Sequence, residues 1–399
     1  MEALTGKPTP FTGSIRVACG PDTYWIDWNG LQIPIVVNDY MAELHAGRHG
    51  VGMVDTSGLQ KLHVSGSDAG KLLDYVLVRS VSELPPGRAA YALLTTEEGR
   101  IRDDVTVFRL HDESYLVASA SNLLSWVERH RGSHDASIAD ASAERCVLSV
   151  FGPHSYALLR AAGIEGLESL KAFNFLRARI ADLHFNVSRT GFSGGLGYEL
   201  WIPWGDGEAL CRHLLDSPGG HSARFLGMGA LDILRTEVGY LLPGHDFPLA
   251  GLDDGAEPDK CRSPFDVGLD RLIDFQRGEF LGRNRLLEER RAGSRYELFA
   301  VELDVETELA VESLAGTALY LADGQRIGEI IAGGFSLTLG RYVGLCNVQR
   351  GSADAGAQVI AGDEHWPAAL KPSPLYTSAL RTQTPPPASP GDVAPLPPL

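Results

Sequence analysis

The sequence predicts an α+β protein with a small antiparallel barrel as a separate C-terminal domain. Three observations lead there. Strand-like runs are interrupted by helices at irregular intervals, which argues against a regular doubly wound sheet. The texture changes near residues 285–295, where NRLLEERRAGSR is charged and helical. Beyond it come short strand-like runs with closely spaced turn signals, the pattern of a small barrel.

In chain order, the helix-like segments are DYMAELHAGRHG (39–50), SDAGKLLDYVL (67–77), SNLLSWVERHRG (121–132) and PHSYALLRAAG (153–163). Ser67 is placed to cap the second of these. Alternation and β-branched content mark strands in LQKLHVSG (59–66), DVTVFRL (104–110), SYLVAS (114–119), RCVLSVFG (145–152) and HFNVSRTG (184–191). The barrel strands are expected in ELFAVELD, GTALYLADGQRIGEIIAGG, YVGLCNV and AQVIAG, with a hairpin turn at Asp323-Gly324. Three regions follow: residues 1–290 as two α+β subdomains, 291–381 as the barrel, and 382–399 as a Pro-rich tail too poor in apolar residues to pack.

The 399 residues carry 35 Lys+Arg against 51 Asp+Glu, a formal net charge of -16. So acidic a chain lacks the basic footprint that nucleic acid or an anionic membrane requires, and neither is expected as a partner. No apolar run reaches the roughly 18 residues of a membrane span, and the N-terminal stretch lacks the pattern of a secretory signal. The five cysteines are dispersed, without a CxxC. A cytoplasmic protein is the simplest expectation. Common site signatures fail: there is no GxxxxGK[ST], HExxH or GxSxG, and GMGALD (227–232) lacks the third glycine of a dinucleotide loop. His45 and His49 have helical spacing but no third ligand in view, so no metal site is expected.

What remains is a set of segments in a fixed order: WNGLQIP (28–34), RHGVGMVDTSGLQKLHVSG (48–66), AAYALLTTEEGRIRDDVTVF (89–108), FGP (151–153), RTGFSGGLGYEL (189–200), GMGALDILRTEVGY (227–240), SPFDVGLDRLIDF with EFLGRNRL (263–286), and GEIIAGGFSLTLGRYVGL (328–345). Together they resemble the glycine-cleavage T-protein (aminomethyltransferase) superfamily of tetrahydrofolate-dependent one-carbon transferases. The resemblance implies a multi-domain cloverleaf around a central folate channel, closed by the C-terminal barrel.

Residue by residue, the resemblance sets Asp104, second of an Asp-Asp pair, beside the reacting nitrogens of the folate as the catalytic carboxylate. Carbon transfer changes the proton count on an amine nitrogen, and a carboxylate can orient that amine or take its proton. On a strand only one of Asp103 and Asp104 faces a given side. Glu199 matches the carboxylate that grips the amino-pyrimidine edge of the pterin, where two parallel N–H bonds fix ring orientation. Tyr91 and Phe192 match aromatics around the folate rings, and Phe108 frames the Asp pair. Ser119 stands where the family has a folate-contacting Asn. Arg235 serves either a folate carboxylate or an ion pair with Glu237.

Departures include Leu231 for a folate-tail Arg and Gly195 for a Glu. The form of residues 230–240 is nearer the folate domains of dimethylglycine dehydrogenase and related demethylases. The expected activity is therefore removal of a methyl group from a small-molecule substrate with tetrahydrofolate as acceptor, the cofactor being tetrahydrofolate or its 5-methyl or 5,10-methylene form. The alternatives are an aminomethyltransferase working with a lipoylated carrier protein, and a non-catalytic folate-binding protein.

Overall fold

The computed structural model describes residues 5–252, 259–305 and 313–384. It is an α+β molecule of two mainly antiparallel sheets and a closed barrel. Residues Tyr24–Trp28 and Leu31–Val36 form a leading hairpin. Its turn, Asn29-Gly30, has φ of 51° and 79°, the left-handed pair that matches the twist of a tight hairpin.

The first sheet has five strands, in the order Ala89–Thr95, Ile101–His111, Ser114–Ser119, Gln60–Ser65 and Ser137–Asp140. One face carries Leu62, Val64, Val105, Val107, Tyr115 and Val117, which pack with Leu72, Leu73 and Val76 of helix Ala69–Val76. This is the side that strand alternation assigns to the core. Ser67 does not cap that helix. The cap position is Asp68, and the Ser67 hydroxyl donates to Asp135 at 2.8 Å instead. Helix Tyr40–His49 does have a side-chain cap, Asp39, which accepts from the Ala42 N–H at 3.0 Å.

The second sheet has six strands: Phe175–Ile180, Leu183–Ser188, Gly197–Pro203, Arg145–Phe151, Val51–Asp55 and Ala223–Phe225, the last pairing parallel. The two sheets meet through Ala89, Phe108, Leu116 and Ala118 on one side and Val147 and Trp201 on the other.

Between helix Met228–Glu237 and helix Arg283–Ala292 the described residues run largely without regular structure. Leu241, Phe247, Val267, Leu269 and Phe280 from this stretch pack with Leu93 of the first sheet and with Ala300, Ile331 and Leu345 of the barrel. The barrel closes through Tyr296–Leu303, Arg341–Gln349, Arg326–Ser336, Ala318–Tyr320, Gln358–Ala361 and Trp366–Lys371. The turn at Asp323-Gly324 forms as expected, with Gly324 at φ 86°. Of the Pro-rich tail, residues 385–399 lie outside the described residues. Thr384 and Gln383, at its start, are bonded by the Arg189 guanidinium.

Candidate functional site

Register decides which side chains share a face. Leu93 lies directly opposite Asp104, and Tyr91 opposite Thr106, so Tyr91, Leu93, Asp104, Thr106 and Phe108 share one side of the first sheet. On the second sheet, Glu199 lies opposite Ser188 and Ser149, and Trp201 shares its face two residues on. The Phe108 and Trp201 rings meet edge-on at 4.9 Å between centroids. That contact turns the two faces towards each other, so Asp104 and Glu199 stand on the facing sides of the two sheets. Residues 241–247 and 265–280, with the barrel, pack at the Tyr91–Leu93 end of the first sheet's face.

Asp104 is half-buried on this face. The Tyr91 hydroxyl donates to its Oδ2 at 2.8 Å. Burial, with the negative charges of Asp103 and Asp246, pushes its carboxyl up to about 7. Asp103 points to the opposite face. Its carboxylate accepts from the Ser119 hydroxyl at 2.7 Å, from the Ser121 hydroxyl, and from the Asp104 N–H at 2.8 Å. Burial raises the Asp103 carboxyl as well, but with three donors against one the pair's negative charge settles on Asp103 before Asp104. Ser119 therefore does not reach the inter-sheet space. It is 3% exposed and bonded to Asp103, a correction to the expectation that it touches the cofactor.

Glu199 is also half-buried, and burial raises its carboxyl. Its Oε2 accepts from the Thr190 and Ser188 hydroxyls, while Oε1 accepts no bond among the described residues. The Trp201 indole donates to Ser188 at 3.0 Å and so braces the same group.

Phe192, half-buried at the rim, faces Tyr240 at 5.9 Å between ring centroids. The Arg381 guanidinium lies 5.2 Å from the Tyr240 ring. Two other expectations need correction. Phe108 is 3% exposed and wedged against Trp201 and Phe175, so it joins the sheets rather than lining the space. Arg235 is fully enclosed, and its partner is not Glu237. It donates to Asp246 through both terminal nitrogens and to Asp232 through Nε at 2.8 Å. Glu237 pairs with Arg48.

Asp246, Tyr240 and Arg381 were missed. The first two lie in or just beyond the quoted EVGY segment, where LPGHD places a His-Asp dipeptide in a turn. Arg381 carries no local signal, since only the fold brings the C-terminal stretch to Tyr240.

The family model described as the GCVT N-terminal domain matches residues 23–277. The chain belongs to this family. GCVT-family relatives include an aminomethyltransferase of Thermotoga maritima, 29% identical over 371 residues, spanning 90% of this chain and 95% of that protein. An aminomethyltransferase of Desulforamulus reducens is 29% identical over 357 residues, spanning 88% and 93%. In fold, the chain is similar to the glycine cleavage system aminomethyltransferase T of Bartonella henselae, with a TM-score of 0.81 at 21% identity over 93% of this chain and 98% of the other.

Proposed function

We propose that this GCVT-family protein is a tetrahydrofolate-dependent aminomethyltransferase, working on a one-carbon unit held as an aminomethyl thioether on a lipoylated carrier. One observation carries the reading. Two half-buried carboxylates stand on the facing sides of different sheets, and Tyr91 is the only side-chain donor to Asp104, as Thr190 and Ser188 are to Glu199, among the described residues. Half-buried carboxylates with spare acceptor capacity call for a ligand rich in N–H donors. A reduced pterin offers a pair of parallel N–H groups at its amino-pyrimidine edge, which suits Glu199, and amine N–H groups at the reacting side, which suits Asp104.

Bound there, tetrahydrofolate would supply the nucleophilic nitrogens that take up the carbon. The rest falls to the chain. Glu199 orients the ring system. Asp104 accepts a proton at Oδ from the attacking amine and returns it to the amine that departs, a task suited to a carboxyl near neutrality. Tyr91 holds Asp104 in line. Residues 241–247 and 265–280, packed beside Tyr91 and Leu93, keep water from the carbon in transit.

Direct demethylation, favoured by the sequence, is displaced to second place because relatives matching along most of the chain bear the aminomethyltransferase name. The test combines the protein with methylene-tetrahydrofolate, ammonia and a dihydrolipoyl carrier, and follows carrier mass. The expected product is the aminomethylated carrier. Formation of methyl-tetrahydrofolate from a panel of N-, O- and S-methyl compounds, without any carrier, would reverse the order of the two readings.

A further inference from the structure

The turn after helix Met228–Glu237 carries a histidine that the reading above leaves without a role. Leu241 and Phe247 flank the turn and belong to the same apolar cluster as Leu93, with Tyr91 packed against it, so the turn is anchored to the end of the sheet face that bears Asp104. Gly244 makes the reversal at φ 86°, and its N–H donates to the Phe247 carbonyl at 2.9 Å. Inside this turn His245 Nδ1 is 3.1 Å from Asp246 Oδ1.

The Asp246 side chain is fully enclosed, and it also accepts from Arg235 and from the Leu242 N–H at 2.9 Å. Burial alone would push its carboxyl up, but His245 and Arg235 outweigh that and hold it below its ordinary value. An ionised Asp246 keeps a proton on the facing Nδ1 and leaves Nε2 as the working end of the ring. The His245 side chain remains 51% exposed. The charged groups facing the ring are Asp246, Asp232 and Arg235. The bond to Asp246 raises the imidazole, burial lowers it, the two acids raise it and Arg235 lowers it, with a net rise. The charge of Asp246 also reaches Asp104. A pinned, half-exposed imidazole and a near-neutral carboxyl therefore share one neighbourhood, a pairing typical of divided acid and base work.

We propose that His245 is the second proton-handling group of this site, giving a proton from Nε2 to the sulfur that leaves the transferred carbon. The proposal rests on the aminomethyl reading. The C–S bond breaks with its electron pair on sulfur, and the Nε2 proton makes that sulfur a thiol. The transfer consumes two amine N–H protons in all: one passes through Asp104 to the departing ammonia, and the other recharges His245. No oxidant or reductant is needed.

His245→Gln keeps an amide N–H to face Asp246 and so preserves the turn. Measured on the full-length protein with the lipoylated carrier, this variant should lose roughly 10²-fold in kcat with the KM for reduced folate little changed. Wild-type kcat should fall as pH rises through the imidazole pKa, and the variant should lack that limb. Added imidazole should restore part of the rate to His245→Ala. An active wild type whose His245→Gln variant keeps both its rate and its pH profile overturns the role of His245 alone. A wild type inert towards the carrier overturns the aminomethyl reading, and this proposal with it.

Discussion

Asp103 and Asp104 are chemically identical neighbours, and the strand separates them by sending successive side chains to opposite faces. Asp103 gains two hydroxyl donors and a backbone N–H, whereas Asp104 gains one phenol and a view of the inter-sheet space. The consequence is testable through pH. The folded carboxyl near 7 lies above its ordinary 3.8, so the folded state binds a proton more tightly than the unfolded one. Asp104 therefore costs stability as pH rises from about 4 to about 7, and the full cost persists above that. Asp104→Asn removes the charge. Its melting temperature relative to wild type should be clearly higher at pH 8 than at pH 5, and an identical difference at both pH values would contradict the assignment. The same variant should lose roughly 10²–10⁴-fold in kcat, together with the acid limb that wild type shows below about pH 7. Reduced-folate affinity, measured by titration, should move far less.

Elements translate this alternation into a site. Phe108 occupies the same face as Asp104 but contacts Trp201 and Phe175 edge-on, so it sets how the sheets approach each other. Phe108→Ala should cost about 3–5 kcal/mol in urea unfolding, as expected for emptying a buried aromatic site. Phe108→Leu should leave reduced-folate affinity nearly unchanged; a large loss of affinity at full stability would return Phe108 to the ligand.

The sequence made the strands and their faces legible, because period-two patterns are local. Ordered motifs singled out Asp104, Glu199, Tyr91 and Phe192. Partner choice was less legible. Arg235 and Glu237 stand two apart on a helix, a spacing that points side chains away from each other. Arg235 accordingly meets the turn at Asp246, while Glu237 meets Arg48. Ser119 fails as a ligand for a similar reason: it lies opposite Gln60 on the face that Asp103 occupies, and only the register reveals that.

At the scale of the whole molecule, the parts around the inter-sheet space converge on Glu237. Its fully enclosed carboxylate accepts from Arg48 of helix Tyr40–His49 at 2.6 Å, and from Ser336 at 2.6 Å and Thr338 at 3.0 Å in and beside a barrel strand. Its carbonyl accepts the N–H groups of Leu375 and Tyr376 from the C-terminal stretch. Arg48 also donates to the Ser193 carbonyl in the loop that carries Phe192, and lies 4.4 Å from the Tyr376 ring centroid. An enclosed cation that loses its partner is expensive, whereas replacing both charges with apolar groups costs far less. Glu237→Ala should therefore destabilise the protein by about 3–5 kcal/mol. Combining it with Arg48→Met should recover a substantial part of that loss, which a double-mutant cycle in denaturant would measure. Because the same pair ties the Phe192 loop and the barrel to one helix, Glu237→Ala should also weaken reduced-folate binding, although among the described residues Glu237 bonds neither Asp104 nor Glu199. Additive losses in the cycle, with folate affinity untouched, would mean that barrel and sheets hold their positions independently of this junction.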